Sequence, residues 1–215
     1  MKYEYEIRQA FKDCKGRYGR AKRKRENKNT NVKYENLSER DYDGKHNDIF
    51  ATVVTYIPSP IDVLENHVYL SAIIHHRIKK IVSWNLSKNN DNNLVLEHLK
   101  TTDFSSNFII HSDHGYQYSS NDYVKFISSK NEKISMSRVG NSLYNREIEY
   151  FFSILKTEIF PNFCKRVKLL TFNELKNEIK EFIDWYNNDR FMKKLDLKTP
   201  QQMWDVYKNN KFIGV

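Results

Sequence analysis

Two cysteines, Cys14 and Cys164, are all that 215 residues provide. They form neither a CxxC pair nor a dense framework, so structural zinc and disulfide stapling have no basis in the sequence and reduced thiols are expected. No apolar run approaches the roughly 20 residues that span a bilayer, and Met1-Lys2-Tyr3-Glu4 does not open as a signal peptide does. The expectation is a soluble, cytoplasmic protein with no membrane partner. Hydrophobic residues still reach 39% and aromatics 14%, which suits one good-sized folded core with a small appendage.

The formal charge of +9 is concentrated in one place. Between Lys12 and Lys28 lie nine basic and two acidic residues, so most of the net charge belongs to an arm. Phosphate backbones attract such a segment through counterion release, largely regardless of sequence. The competing reading is a solvated charge run without a partner. Arg20, Lys22, Arg23, Lys24 and Arg25 form its densest part. Just before it, residues 3–13 (YEYEIRQAFKD) carry Tyr3, Ile7, Ala10 and Phe11 at helical spacing, and Gly16 and Gly19 then break the pattern.

From Asp48 onward strands and helices alternate. Residues 49–57 (IFATVVTYI) are β-branched and aromatic and stop at Pro58-Ser59-Pro60, which predicts a buried strand. Two more strands are expected at Val68–His75 and Lys80–Leu86, a helix after the capping Asp91, and a fourth strand at Phe108–His111. Ser119 to Asp122 caps a further helix reaching Ser129, with Tyr123, Phe126 and Ile127 inward, and Ile134–Ser137 makes a short strand. Asn145 to Ile159 is amphipathic, with Ile148, Phe151, Phe152, Leu155 and Ile159 on one stripe. Glu174–Asn188 is another such helix, and Thr199 with Pro200 starts a last short one through about Tyr207. Trp185 and Trp204 read as core rather than as stacking platforms. The order predicts an α/β fold, a mixed sheet flanked by helices.

Asp113 closes one hydrophobic strand and Glu149 flanks the stripe of the amphipathic helix, with 35 residues between them. Two such acids can converge on divalent cations, and a metal pair about 3.5–4 Å apart activates the attacking oxygen of a phosphodiester and stabilises the leaving one. Lys156 lies two turns beyond Glu149 on the same helix face, where an ammonium could hold a phosphate. Each residue also has a plain reading. Glu149 and Lys156 suit an exposed helix surface, Asp113 could start a turn, and His75, His76 and His111 match no zinc spacing.

Three separated stretches decide between these readings. HSDHGYQYSS (111–120), NSLYNREIEYFFSILKTEI (141–159) and the tail around DWYNNDR (184–190) together resemble the catalytic core shared by bacterial insertion-sequence transposases and retroviral integrases. The resemblance covers roughly 48–205, and more loosely 7–19, a piece of the helical DNA-binding region that precedes the core. It implies a ribonuclease-H-like fold, DNA as the partner, Mg²⁺ or Mn²⁺ as cofactor, and metal ligation by Asp113 and Glu149. It also implies assembly as a homo-oligomer or with an upstream DNA-binding transposase protein. The domains would be 1–47, a truncated DNA-binding helix, basic arm and linker, and 48–208, an integrase-like core with C-terminal helices.

The chain departs from that family at one position. The family's first catalytic Asp lies in a strand of the form Trp-x-Thr-Asp-x-Thr-Tyr-Ile, and residues 50–57 read FATVVTYI. Val53 stands where that acid belongs, and a valine offers no oxygen to a hard cation. Two readings follow: a transposase impaired in this copy, or a catalytically inactive remnant that binds DNA or interferes with active transposase. The arm supplies a first test. Neutralising Arg20, Lys22, Arg23, Lys24 and Arg25 should weaken duplex binding on all sequences alike and lower the slope of log K against log salt by roughly one unit per lost phosphate contact. An unchanged slope would show the arm to be a bystander.

Overall fold

The computed structural model describes residues 34–39, 41, 43, 48–104, 107–137, 145–158 and 163–213. The expected helix at 3–13, the basic arm and the stretch 138–144 lie outside them. Five strands form one mixed sheet in the order β3-β2-β1-β4-β5. β1 (Asp48–Pro58), β2 (His67–His75) and β3 (Ile81–Ser87) make an antiparallel meander. β4 (Phe108–Ser112) then pairs parallel with β1, and β5 (Lys133–Met136) parallel with β4. The helices are α1 (Asn92–Thr101), α2 (Asn121–Ser129), α3 (Arg146–Glu158), α4 (Phe163–Val167), α5 (Phe172–Asn188) and α6 (Pro200–Ile213).

Alternation along β1 divides the core in two. Ala51, Val53 and Ile57 pack with Ile148, Phe151, Phe152 and Leu155 of α3 and Leu175, Ile179, Phe182 and Ile183 of α5. Phe50 belongs to the other face, with Ile73, Ile110, Val95 and Leu99 of α1, Tyr123 and Ile127 of α2, and Trp204 of α6. Phe50 is fully buried and meets His75, Phe104, Phe108 and Trp204 edge to face at 4.8–6.4 Å, the arrangement that ring quadrupoles favour. Helix starts follow their capping chemistry. Asp91 accepts from the Leu94 amide, Ser120 from that of Tyr123, and Thr171 and Glu174 form a capping box. Thr199 Oγ1 accepts from Gln202 N at 3.2 Å.

Four details differ from the sequence reading. α6 runs on to Ile213, since no glycine or proline interrupts residues 207–213 once the helix is started. α4 was not foreseen, being only one turn long. Phe126 faces inward as expected but is only half-buried at the margin of the core. Trp185 is 40% exposed rather than core, because Phe182 and Tyr186 take the inward stripe of α5 and leave Trp185 on its flank.

Each edge of the sheet is met by a polar contact from outside it. Along β5, Met136 N donates to Glu35 O at 3.2 Å, and Leu37 N donates to Ser135 Oγ at 2.8 Å. At β3 the amide of Asn187 does what a neighbouring strand would do. Ile81 N donates to Asn187 Oδ1 at 3.0 Å, and Asn187 Nδ2 donates to Ile81 O at 2.9 Å. The clamp satisfies both ladder groups of Ile81 and obstructs pairing with another chain at the start of β3. Asn187→Ala strands both backbone groups in a buried position and should cost about 1–3 kcal/mol. Urea unfolding followed by circular dichroism measures it, and no change in midpoint would refute the clamp.

Candidate active site

Thr52 of β1 lies opposite Ser112 of β4 in the parallel ladder, so the next residues, Val53 and Asp113, fall side by side. Alternation turns both towards the face covered by α3 and α5. Val53 is buried at 4% exposure, and Asp113 is half-buried just past the strand. The local turn holds the carboxylate in place, with Gly115 N donating to Asp113 Oδ1 at 2.9 Å. A Cβ at Gly115 would come within 2.9 Å of Gln117 Oε1 and 3.1 Å of Asp113 Oδ1, so a larger residue there would make both side chains shift. Burial pushes the Asp113 pKa upward, opposed by the Gly115 amide and the charge of His114.

Glu149 comes from the first turns of α3, whose apolar stripe is buried on the sheet. Its side chain remains solvent-exposed on one side. Even so, the protein on its other side raises its pKa by desolvation, the ammonium of Lys156 opposes the shift, and the charge of Asp113 adds to it. The two acids are therefore electrostatic neighbours. Lys156 Nζ donates to Thr55 Oγ1 at 2.6 Å, and Thr55 shares the face of Val53 two residues on. Burial lowers the Lys156 pKa while Glu149 sustains it. Val53, Thr55, Asp113, Glu149 and Lys156 thus gather on one face at one end of the sheet. Arg20, Lys22, Arg23, Lys24 and Arg25 lie outside the described residues.

A polar layer that sequence reasoning missed anchors the start of α3. Glu147, 6% exposed, sits 3.3 Å from Lys79 Nζ, 2.8 Å from Arg146 Nη2 and 3.6 Å from Lys194 Nζ. Lys79 Nζ also donates to His76 O. No spacing rule could have found this pair, because Lys79 and Glu147 meet only once the turn between β2 and β3 is packed against the start of α3.

Neither nearby acid can replace the missing one. Asp48 binds His75 Nε2 at 2.6 Å through Oδ1 and accepts from the Tyr207 hydroxyl through Oδ2. Asp62 Oδ1 accepts from Phe172 N at 2.7 Å, at the start of α5. Among the described residues, no three His, Cys, Asp or Glu side chains are grouped so as to hold a metal ion. Two carboxylates beside a buried valine and an ammonium do not make the oxygen set that a pair of hard cations needs.

The core matches integrase core domain models over residues 47–142 and again over 149–210. An "uncharacterized transposase-like protein" of Haemophilus influenzae is 31% identical over 170 residues, which are 77% of this chain and 75% of that protein. The transposase for insertion sequence element IS904 of Lactococcus lactis is 31% identical over 160 residues, 72% of this chain and 60% of its own length. Among solved structures, the HTLV-2 integrase catalytic core domain, determined in complex with magnesium, superposes with a TM-score of 0.54 at 18% identity. That match covers 73% of this chain and 95% of that domain. At this identity the likeness establishes the fold, a ribonuclease-H-like sheet flanked by helices.

The raised Asp113 pKa has a stability consequence. A carboxyl whose folded pKa exceeds its unfolded value of about 4 contributes stability that is complete below that value and lost as pH rises through the folded pKa. Asp113→Asn keeps the oxygen that receives the Gly115 amide and removes the charge. Its urea midpoint should exceed that of the parent at pH 7 and converge with it towards pH 3. A lower midpoint at pH 7 would show that the Asp113 charge is stabilised rather than strained.

Proposed function

The chain belongs to the insertion-sequence transposases built on an integrase core domain, and from that membership we propose a DNA-binding transposase core in which Val53 blocks catalysis. The lineage chemistry is DNA integration by metal-dependent phosphodiester hydrolysis and strand transfer. In this reading Asp113 and Glu149 are the surviving ligands and Lys156 holds a phosphate. The observation that supports it is the register that pairs Thr52 with Ser112, the residues just before the buried Val53 and Asp113. Because the donors present do not fit the metal pair, no catalytic step is assigned to this copy. Its role is to bind DNA, through the site face and the basic arm, and to occupy ends or subunit positions that an active copy would use. No described helix is long and apolar enough to cross a membrane. DNA and other transposase subunits are the partners that this reading proposes.

The decisive variant is Val53→Asp. The new carboxylate would lie in register with Asp113, so added Mg²⁺ or Mn²⁺ should raise the unfolding temperature of the variant through binding to the folded state. The parent should show no such rise. Metal-dependent cleavage or joining of a preformed oligonucleotide end should appear with it. Val53→Asp combined with Asp113→Asn or Glu149→Gln should stay inactive, because ligands of one site act as a unit. Robust metal-dependent activity of the unaltered protein would overturn this reading.

A further inference from the structure

The turn between α5 and α6 is stiff, cationic and apolar at its tip. Met192 and Lys198 form an isolated antiparallel bridge, and Met192 N donates to Lys198 O while Leu197 N donates to Met192 O. Leu195, 3% exposed, anchors the turn in the core. Asp196 and Leu197 are both left-handed, with φ of 52° and 57°, a conformation that a leucine disfavours. Yet Leu197 gains no burial from it. It is 66% exposed, and Phe191 on the other arm of the bridge is 67% exposed. Strained backbone held by its surroundings and carrying an exposed apolar side chain is a mark of a binding element.

The charge around this tip indicates the partner. Lys193, Lys194 and Lys198 are exposed around it, with Asp196 the acid within the turn. Lys193 and Lys198 make no ion pair among the described residues. The turn is also fastened along the helix that carries Glu149 and Lys156, since Lys194 reaches Glu147 at 3.6 Å and Arg190 reaches Glu158 at 2.5 Å. Arg190 in addition lies 5.4 Å over the Trp185 ring. Apolar side chains flanked by cations suit a nucleic-acid groove, where lysines take the phosphates and the apolar tip contacts base edges or sugars. We propose that the turn Phe191–Lys198 is a second duplex-DNA contact, which extends the site on α3 and rests on the DNA-binding reading given above.

The full chain, a labelled duplex and a salt series test this. Changing Lys193, Lys194 and Lys198 together to alanine should lower the slope of log K against log salt by roughly 2–3 units, about 0.9 per phosphate contact. Phe191→Ser with Leu197→Asn should weaken binding by roughly fivefold or more at every salt concentration without changing the slope, because only non-ionic contacts are lost. Asparagine accepts the left-handed conformation, so this variant should unfold at an equal or higher temperature than the parent. That separates a binding role from a structural one. Affinity lost in proportion to stability would overturn the proposal. So would unchanged binding by both variants, or tip-dependent binding to phosphatidylserine vesicles with duplex affinity intact. If the parent binds duplex and the arm variant loses affinity while the turn variants do not, the turn inference alone fails. A parent that binds no duplex at any salt overturns the DNA reading and the turn with it.

Discussion

The parallel pairing of β1 with β4 is the constraint on which the rest of the site depends. β1 is hydrogen-bonded on both sides, to β2 through nine residue pairs and to β4 through five. A one-residue slip would move every β1 side chain to the other face, driving Phe50 out of its ring of four aromatics and Ala51, Val53 and Ile57 out of the opposite core. The register is therefore fixed by packing far more strongly than by anything at the acids. Val53 faces Asp113 because Phe50 must face Trp204.

The same economy governs α3. Ile148, Phe151, Phe152 and Leu155 bury one stripe, and that stripe decides where Glu149 and Lys156 emerge. The result is electrostatically unfavourable for the isolated protein: burial raises the pKa values of Asp113 and Glu149 and lowers that of Lys156. A third carboxylate at position 53 would add like-charge repulsion at a position that is 4% exposed. Replacing it by valine removes a buried charge and completes an apolar strand. On the reading proposed above, valine at this position favours the stability of the fold, which is the usual opposition between stability and a strained functional site.

Local signals made much of this legible from sequence. The β-branched run stopped by Pro58, the capping Asp91, the Thr171 box and the stripe of α3 are all short-range patterns, and each forms the expected element. Asp113, Glu149 and Lys156 were singled out through motif resemblance, and the structure makes Glu149 an electrostatic neighbour of the other two. Contacts that depend on packing were invisible. Asn187 and Ile81 are 106 residues apart, Lys79 and Glu147 come from different layers, and the exposure of Trp185 depends on which flank of α5 the core leaves uncovered. The left-handed pair at Asp196 and Leu197 carries no glycine to announce it.

Could the chain recover a third ligand without changing position 53? Asp48 is the only acid on β1, but it lies five residues before Val53, about 16 Å away by strand rise and on the opposite face. It is also committed there. His75 and Tyr207 both bind it, tying β2 and α6 to the start of β1, so withdrawing it would leave the buried His75 without that carboxylate. Asp62 is similarly occupied at the first turn of α5, beyond the two prolines that end β1. Moving either acid towards Asp113 would break a contact that positions a helix, and the helix would then no longer support the site. Glu147 is nearer in sequence to Glu149, but its carboxylate is held by three cations at the foot of α3, and freeing it would take from the buried Lys79 the carboxylate 3.3 Å from its ammonium. Asp48, Asp62 and Glu147 are thus structural ligands already. On the proposed reading, position 53 is where a third carboxylate would be restored with the least disturbance of the described fold.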